Sequence, residues 1–292
     1  DVEVSVSSDV CPEIREYERF TTTVVNAYIK PLMSNYLKKL DQKLLNSGFN
    51  CPLLLMTSGG TLTNISSACN NPVRLVESGP AGGAILATSI AEDMNLSKVI
   101  SFDMGGTTAK ITIIENKKAI KAREFEVDRK ARFKKGSGYP LRIPVIEMVE
   151  IGAGGGSIAR VNKLEQIITG PDSAGSFPGP ACYSNGGSMP TITDADLVIG
   201  KINPDNFAGG KIKLSKQLAD KAITENIVKF VNIDTNIAAL AISEIVDETM
   251  SNAARVHTVE QGHETSNRTL IAFGGAAPLH IARVAEKLRV SN

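Results

Sequence analysis

The chain has 292 residues, 42% of them hydrophobic, and sets 32 Lys+Arg against 31 Asp+Glu for a net charge of +1. That length allows one large domain or two modest ones around a substantial core. Balanced charge excludes the electrostatic footprint of a nucleic-acid or anionic-membrane binder. No apolar run approaches the ~20 residues needed to cross a bilayer.

Residues 1–7 alternate Val2, Val4 and Val6 with Glu3, Ser5 and Ser7, which predicts a half-buried strand. A helical pattern follows from about Glu16 to Asn46, with Val25, Ile29, Leu32, Tyr36, Leu40 and Leu44 on one stripe. Pro31 should kink or restart it, and Gly48 should stop it. The apolar run Leu53–Met56 reads as a buried strand ending in the turn Thr57-Ser58-Gly59-Gly60. Glu77-Ser78-Gly79-Pro80 then leads into a small-residue helix from Ala81 to about Glu92, with Pro80 well placed near its start.

The clearest hairpin comes next: a strand over 99–102, a turn over Asp103–Thr108, and a return strand over 109–114. A meander should continue to Phe125. The run Arg129, Lys130, Arg132, Lys134, Lys135 reads as a solvated loop rather than a phosphate patch. Glycine and proline then crowd the chain to about residue 215, which predicts a loop-rich elaboration. Helices return at about 215–230 and 237–259. A final strand, Thr269–Phe273, meets Gly274-Gly275 and a helix from about Pro278 to Leu288. The core is expected to use about 50–125 and 235–292, with 126–234 as the elaboration.

The strongest chemical signal is at Asp103. A carboxylate at a strand end, two glycines and two hydroxyl residues suit a phosphate site, because the glycines let backbone N–H groups approach anionic oxygens. Thr107 and Thr108 can donate to phosphate, and Asp103 can hold hydrated Mg²⁺. A tight glycine-rich hairpin is the plain alternative. Gly274 and Gly275, opening a helix, suit a strand passing under a nucleotide. Asp194 and Asp196 fit either a substrate or second-metal site, or a helix cap for one of them. The cysteines Cys11, Cys51, Cys69 and Cys182 form no C-x-x-C pair, so free thiols in a cytoplasmic, reducing setting are expected, with Cys182 structural. His257 and His263 lack metal spacing, and only His280 lies near the glycine pair.

The order of these segments resembles the second half of an α/β fold with a ribonuclease-H-like core, that of the actin, sugar-kinase and heat-shock-chaperone ATPase superfamily. Closer still is the hydantoinase A family, which includes N-methylhydantoinase, 5-oxoprolinase and acetone carboxylase subunits. The phrases that carry it include Arg15–Arg19, Glu77–Gly83, Ser101–Lys110, Ile151–Ala159, Pro178–Tyr183, Thr193–Gly200 and Phe273–His280. They run in family order over nearly the whole chain, as a single hydantoinase A-type domain. The family's amino-terminal phosphate loop and its continuation beyond Leu288–Val290 are missing, so the resemblance implies an internal piece of a longer chain.

It also implies ATP and Mg²⁺ as cofactors, a cyclic amide substrate (hydantoin, 5-oxoproline or a similar lactam) and a hydantoinase B-type partner. Asp103 and Glu77 would be the catalytic pair. Gly105, Gly106, Thr107, Thr108, Gly274 and Gly275 would hold the nucleotide. A ketone carboxylase subunit, a kinase, and a nucleotide-gated interaction module share the fold and stay open as alternatives.

Overall fold

In the computed structural model, which describes residues 3–128 and 136–290, the hairpin expected around Asp103 forms the centre of a sheet. Lys98–Met104 pairs antiparallel with Ala109–Glu115, placing Asp103 opposite Lys110. Met148–Ile151 adds antiparallel to the outer side of Ala109–Glu115. Thr269–Phe273 pairs parallel with Lys98–Met104, so that Phe273 lies beside Asp103. Three antiparallel strands with a fourth parallel to the first make the ribonuclease-H-like arrangement. The central strands are legible in sequence because both faces are covered: Val99, Ile100, Phe102, Ile111, Ile113 and Ile114 are all buried.

The chain divides into two compact units: Asp1–Met94 with Lys117–Glu147, and Asn95–Asn116 with Met148–Asn292. This differs from the expected partition. Residues 50–94 leave the sheet-bearing unit, and the glycine-rich segment supplies one of its strands, Met148–Ile151. That strand is only four residues long, too short for its periodicity to stand out.

In the sheet-bearing unit, helices Ile192–Val198, Thr235–Glu260 and Ala277–Leu288 pack together. Their apolar faces, with Ile192, Ile242, Val246, Met250 and Val284, join the sheet's Ile100, Phe102 and Met104 in one core. The helix expected at 215–230 is Lys216–Ile223, followed by a π-helical turn over Thr224–Val228.

The other unit is built on the helix Glu16–Asn46, continuous through Pro31. It stops where Gly48 takes φ +89° and the Gly48 and Phe49 amides donate to Leu45 and Leu44 carbonyls. Only part of the apolar stripe expected is covered: Val25 and Ile29 pack half-buried against a core, whereas Leu32 and Tyr36 are exposed. Thr22, Asn26, Ser34 and Leu37 face inward. Hydrogen bonds hold that face. Asn26 donates to the Asn70 carbonyl and accepts from the Val73 amide, and Ser34 donates to the Cys69 carbonyl. Residues 3–6 form no strand, and a short helix, Ser7–Val10, follows them. The basic run at 129–135 lies outside the described residues.

Candidate functional site

Asp103 sits half-buried at the end of its strand, where the chain turns through Gly105, Gly106, Thr107 and Thr108. Burial pushes its carboxyl above the usual carboxylate range, and Lys110 pulls it back down. The Lys110 ammonium lies 3.1 Å from Thr108 Oγ1 and 3.1 Å from Glu150 Oε1. Nothing in the local pattern singles out Lys110 beyond its place in the motif. Its alternation with Asp103 across the hairpin is the signal that would have found it.

Behind the turn, the loop Gly152–Gly156 packs backbone against backbone. The Gly155 amide donates to the Gly105 carbonyl at 3.0 Å and the Gly156 amide to the Gly106 carbonyl at 2.6 Å. The turn's carbonyls are thus engaged from behind. Among the described residues, the Gly106 and Thr107 amides have no internal acceptor. Beside Gly105, Gly106 and Gly275 there is open space where a Cβ would project. An unsatisfied N–H beside such open space, as at Gly106, suits an anion.

Two further elements complete the surroundings. Thr193 anchors the backing loop through its amide and hydroxyl, both donating to the Gly155 carbonyl at 2.8 Å. The Ala276 amide donates to the Met104 carbonyl at 3.0 Å, bringing the Gly274-Gly275 turn against Asp103. Gly274 adopts φ +90°, and a Cβ there would lie 2.5 Å from the Met104 carbonyl oxygen and 2.8 Å from Asp103 Oδ1. Only glycine fits such an approach. The same holds at Gly154, whose added Cβ would come within 2.5 Å of the Thr107 backbone. Gly154→Ala should therefore displace the turn. Its expected signature is a clear drop in melting temperature together with loss of nucleotide binding, measured by thermal denaturation and calorimetry; a silent substitution would show that the backing loop does not set the turn.

Asp103, Gly105, Gly106, Thr107, Thr108, Gly274 and Gly275 therefore share one surface of the sheet-bearing unit. Glu77 belongs to the other unit, where it takes a left-handed φ of 61° just before the helix Ser78–Asp93. Asp194 and Asp196 are fully buried, at 0% and 1% exposure. Asp194 completes a capping box with Thr191 and also accepts from the Ala181 and Cys182 amides. Asp196 Oδ2 lies 3.1 Å from His280 Nε2, a charge contact rather than an aligned hydrogen bond. His280 Nδ1 lies 2.7 Å from Asp247 Oδ1. Lys201 Nζ, 3.5 Å from Asp196 Oδ1, donates to Ser243 Oγ, and Ser243 donates to Asp196. This buried cluster ties the helices Ile192–Val198, Thr235–Glu260 and Ala277–Leu288 together behind the turn.

Cys182 is fully buried, and burial first, then the adjacent Asp194 carboxylate, pushes its thiol far above the usual range. A thiol so held is a poor nucleophile. Cys182→Ala should accordingly keep turnover within about twofold of wild type in a steady-state assay; loss of activity in a folded variant would point to thiol chemistry. No group of three or more His, Cys, Asp or Glu able to hold a metal exists among the described residues. One carboxylate beside two hydroxyls suits Mg²⁺ carried by a nucleotide and held through water, not an all-protein cage.

The sheet order, with glycine-lined turns at Asp103 and Gly274, defines the core of an actin-like ATPase fold. A nucleotide-free acetone carboxylase structure superposes with a TM-score of 0.84 at 27% identity, over 97% of this chain and 38% of that one. The hydantoinase/oxoprolinase family profile matches residues 19–292, and the chain belongs to that family. It is 35% identical to the caprolactamase subunit alpha of Pseudomonas jessenii over 99% of its length and 40% of the relative's. It is 43% identical to an uncharacterized protein of Methanocaldococcus jannaschii over 100% of its length and 43% of that protein's. The chain thus spans less than half of these relatives.

Proposed function

We propose that this chain carries the phosphate-binding half of an ATP-dependent enzyme that activates a cyclic amide for hydrolysis. The observation that carries the reading is the Asp103 turn: its Gly105 and Gly106 carbonyls are engaged from behind, the Gly106 and Thr107 amides have no internal acceptor among the described residues, and Gly105 and Gly106 border open space. Those amides and the Thr107 and Thr108 hydroxyls receive the phosphates. Asp103 holds Mg²⁺ through water, and Gly274 and Gly275 lie along the adenosine side. The metal, when bound, neutralises charge developing on the transferred phosphoryl group. Lys110, tethered by Glu150, supplies a second positive charge beside Thr108.

In the reaction the amide oxygen attacks the terminal phosphorus and ADP departs. Water then adds to the carbonyl carbon, the ring C–N bond breaks with the proton going to the departing nitrogen, and a second water hydrolyses the resulting acyl phosphate to the carboxylate and inorganic phosphate. Such transfer rests on positioning and electrostatics rather than covalent catalysis by the protein. Glu77 is proposed to orient the attacking water. Asp194 and Asp196, engaged within the protein, serve as positioning residues behind the turn rather than as metal or substrate ligands. A partner subunit of the hydantoinase B type completes the enzyme.

The likeness to acetone carboxylase favours a second reading, in which a ketone's enolate oxygen takes the phosphoryl group before carboxylation. Turnover by the full-length protein with its partner subunit, measured on lactams, hydantoins, ketones and sugars, separates the two. ATP-dependent ring opening supports the first. Bicarbonate-dependent ATP use with a ketone replaces it with the second. A stable phosphorylated sugar as product would make the protein a kinase and overturn both.

A further inference from the structure

The unit built on Glu16–Asn46 contains a cavity of about 310 Å³, within the size range of small-ligand sites. Its walls include Thr57, Thr61, Ser67, Asn71, Arg74 and Lys121, and no carboxylate is among its described lining residues. Arg74 and Lys121 have no ion-pair partner among the described residues, and both side chains are exposed at the cavity wall. Two cations on one hollow with no carboxylate to neutralise them leave a positive site that an anion can enter.

The walls are fixed before any ligand arrives. The Ser58 amide and hydroxyl both donate to the Arg74 carbonyl, at 2.8 and 2.7 Å, so the backbone under the guanidinium is held. The Ile146 amide donates to the Ser58 carbonyl at 2.8 Å, and Lys121 pairs with Ile146 across a short antiparallel ladder. One turn therefore sets the spacing of both cations. That turn is closed by the Gly60 amide donating to the Thr57 carbonyl, with Gly60 at φ +75° where an added Cβ would strike Ile85 at 2.7 Å. The Thr57 and Thr61 hydroxyls hydrogen-bond to each other at 2.9 Å, which leaves one O–H of the pair as a donor on the cavity wall. A planar guanidinium, an ammonium and neighbouring hydroxyls recognise an oxyanion.

We propose that this cavity is a binding site for a small oxyanion, a carboxylate or a phosphate, separate from the Asp103 turn and independent of the activity proposed above. The test is titration calorimetry on the full-length protein with inorganic phosphate, glutarate and the neutral isostere glutaramide. At least one of the two anions should bind and glutaramide should not. Which anion binds identifies the source. Arg74→Gln and Lys121→Gln, each at an exposed side chain, should weaken that binding tenfold or more without moving the melting temperature, whereas Asp103→Asn should leave it unchanged. Should Arg74→Gln unfold the protein, Lys121→Gln alone decides. Failure of both anions to bind overturns the proposal, as does binding that survives the cavity variants and is lost on Asp103→Asn.

Discussion

Asparagine at position 103 of the full-length protein is expected to lower ATP turnover by about 10²–10³-fold, the usual cost of removing one preorganised group from developing charge. The melting temperature should hold or rise slightly. The two expectations have one origin. Asp103 is half-buried at a strand end, so its carboxyl is raised by desolvation despite Lys110 across the hairpin. An acid whose folded pKa is raised is destabilising once ionised, so removing the charge at neutral pH relieves that cost. Asparagine keeps the shape beside Gly274, and no backbone contact of the turn depends on the carboxylate. The charge is thus retained against stability, as expected for a group serving a bound cation. ATP turnover and thermal denaturation on the same preparation decide it. A folded variant with wild-type ATPase activity would remove Asp103 from the mechanism.

The parts legible in the sequence are those fixed by local pattern. The Asp103 hairpin, the final strand Thr269–Phe273 and the helix after it stand within a residue or so of where periodicity and glycine placement put them. What escaped needs contacts between distant segments. The division into two units depends on Lys117–Glu147 folding back on the first segment through Ile146 and Ser58, which no window of sequence displays. The inward face of Glu16–Asn46 combines Val25 and Ile29 of the apolar stripe with Asn26 and Ser34, whose hydrogen-bond partners lie far along the chain. The cluster at His280 joins residues from three helices. Its faint trace is a charge set in an apolar run, as Asp196 is between Ala195 and Leu197 and Asp247 is after Val246. A carboxylate in such a place needs a buried partner. Helical spacing could not say which one.

That partner makes the second large effect. Replacing His280 with alanine leaves Asp196 and Asp247 facing each other in a site at most 2% exposed, with Lys201 and the Ser243 hydroxyl beside Asp196. Breaking a buried ion cluster by removing one member costs about 3–5 kcal/mol, because the remaining charge keeps its desolvation penalty. The same arrangement predicts a pH dependence. Burial alone would depress the imidazole, but the close Asp196 carboxylate and the hydrogen-bonded Asp247 carboxylate more than reverse this and raise it to about 9. A histidine raised in the folded state contributes its full stability below its unfolded pKa of about 6.5 and loses it as pH climbs through the folded value. The wild-type melting temperature should therefore fall between pH 7 and 10 by more than that of His280→Gln, whose profile lacks this titration. Subtracting the two profiles cancels the lysines, tyrosines and thiols that titrate in both. Because the cluster joins the helix carrying Thr193 to the helix that follows the Gly274 turn, on the proposed function His280→Gln should also raise the KM for ATP more than it lowers kcat. A difference profile flat from pH 7 to 10, or an alanine variant as stable as wild type, would leave the imidazole neutral and the three helices held by apolar packing alone.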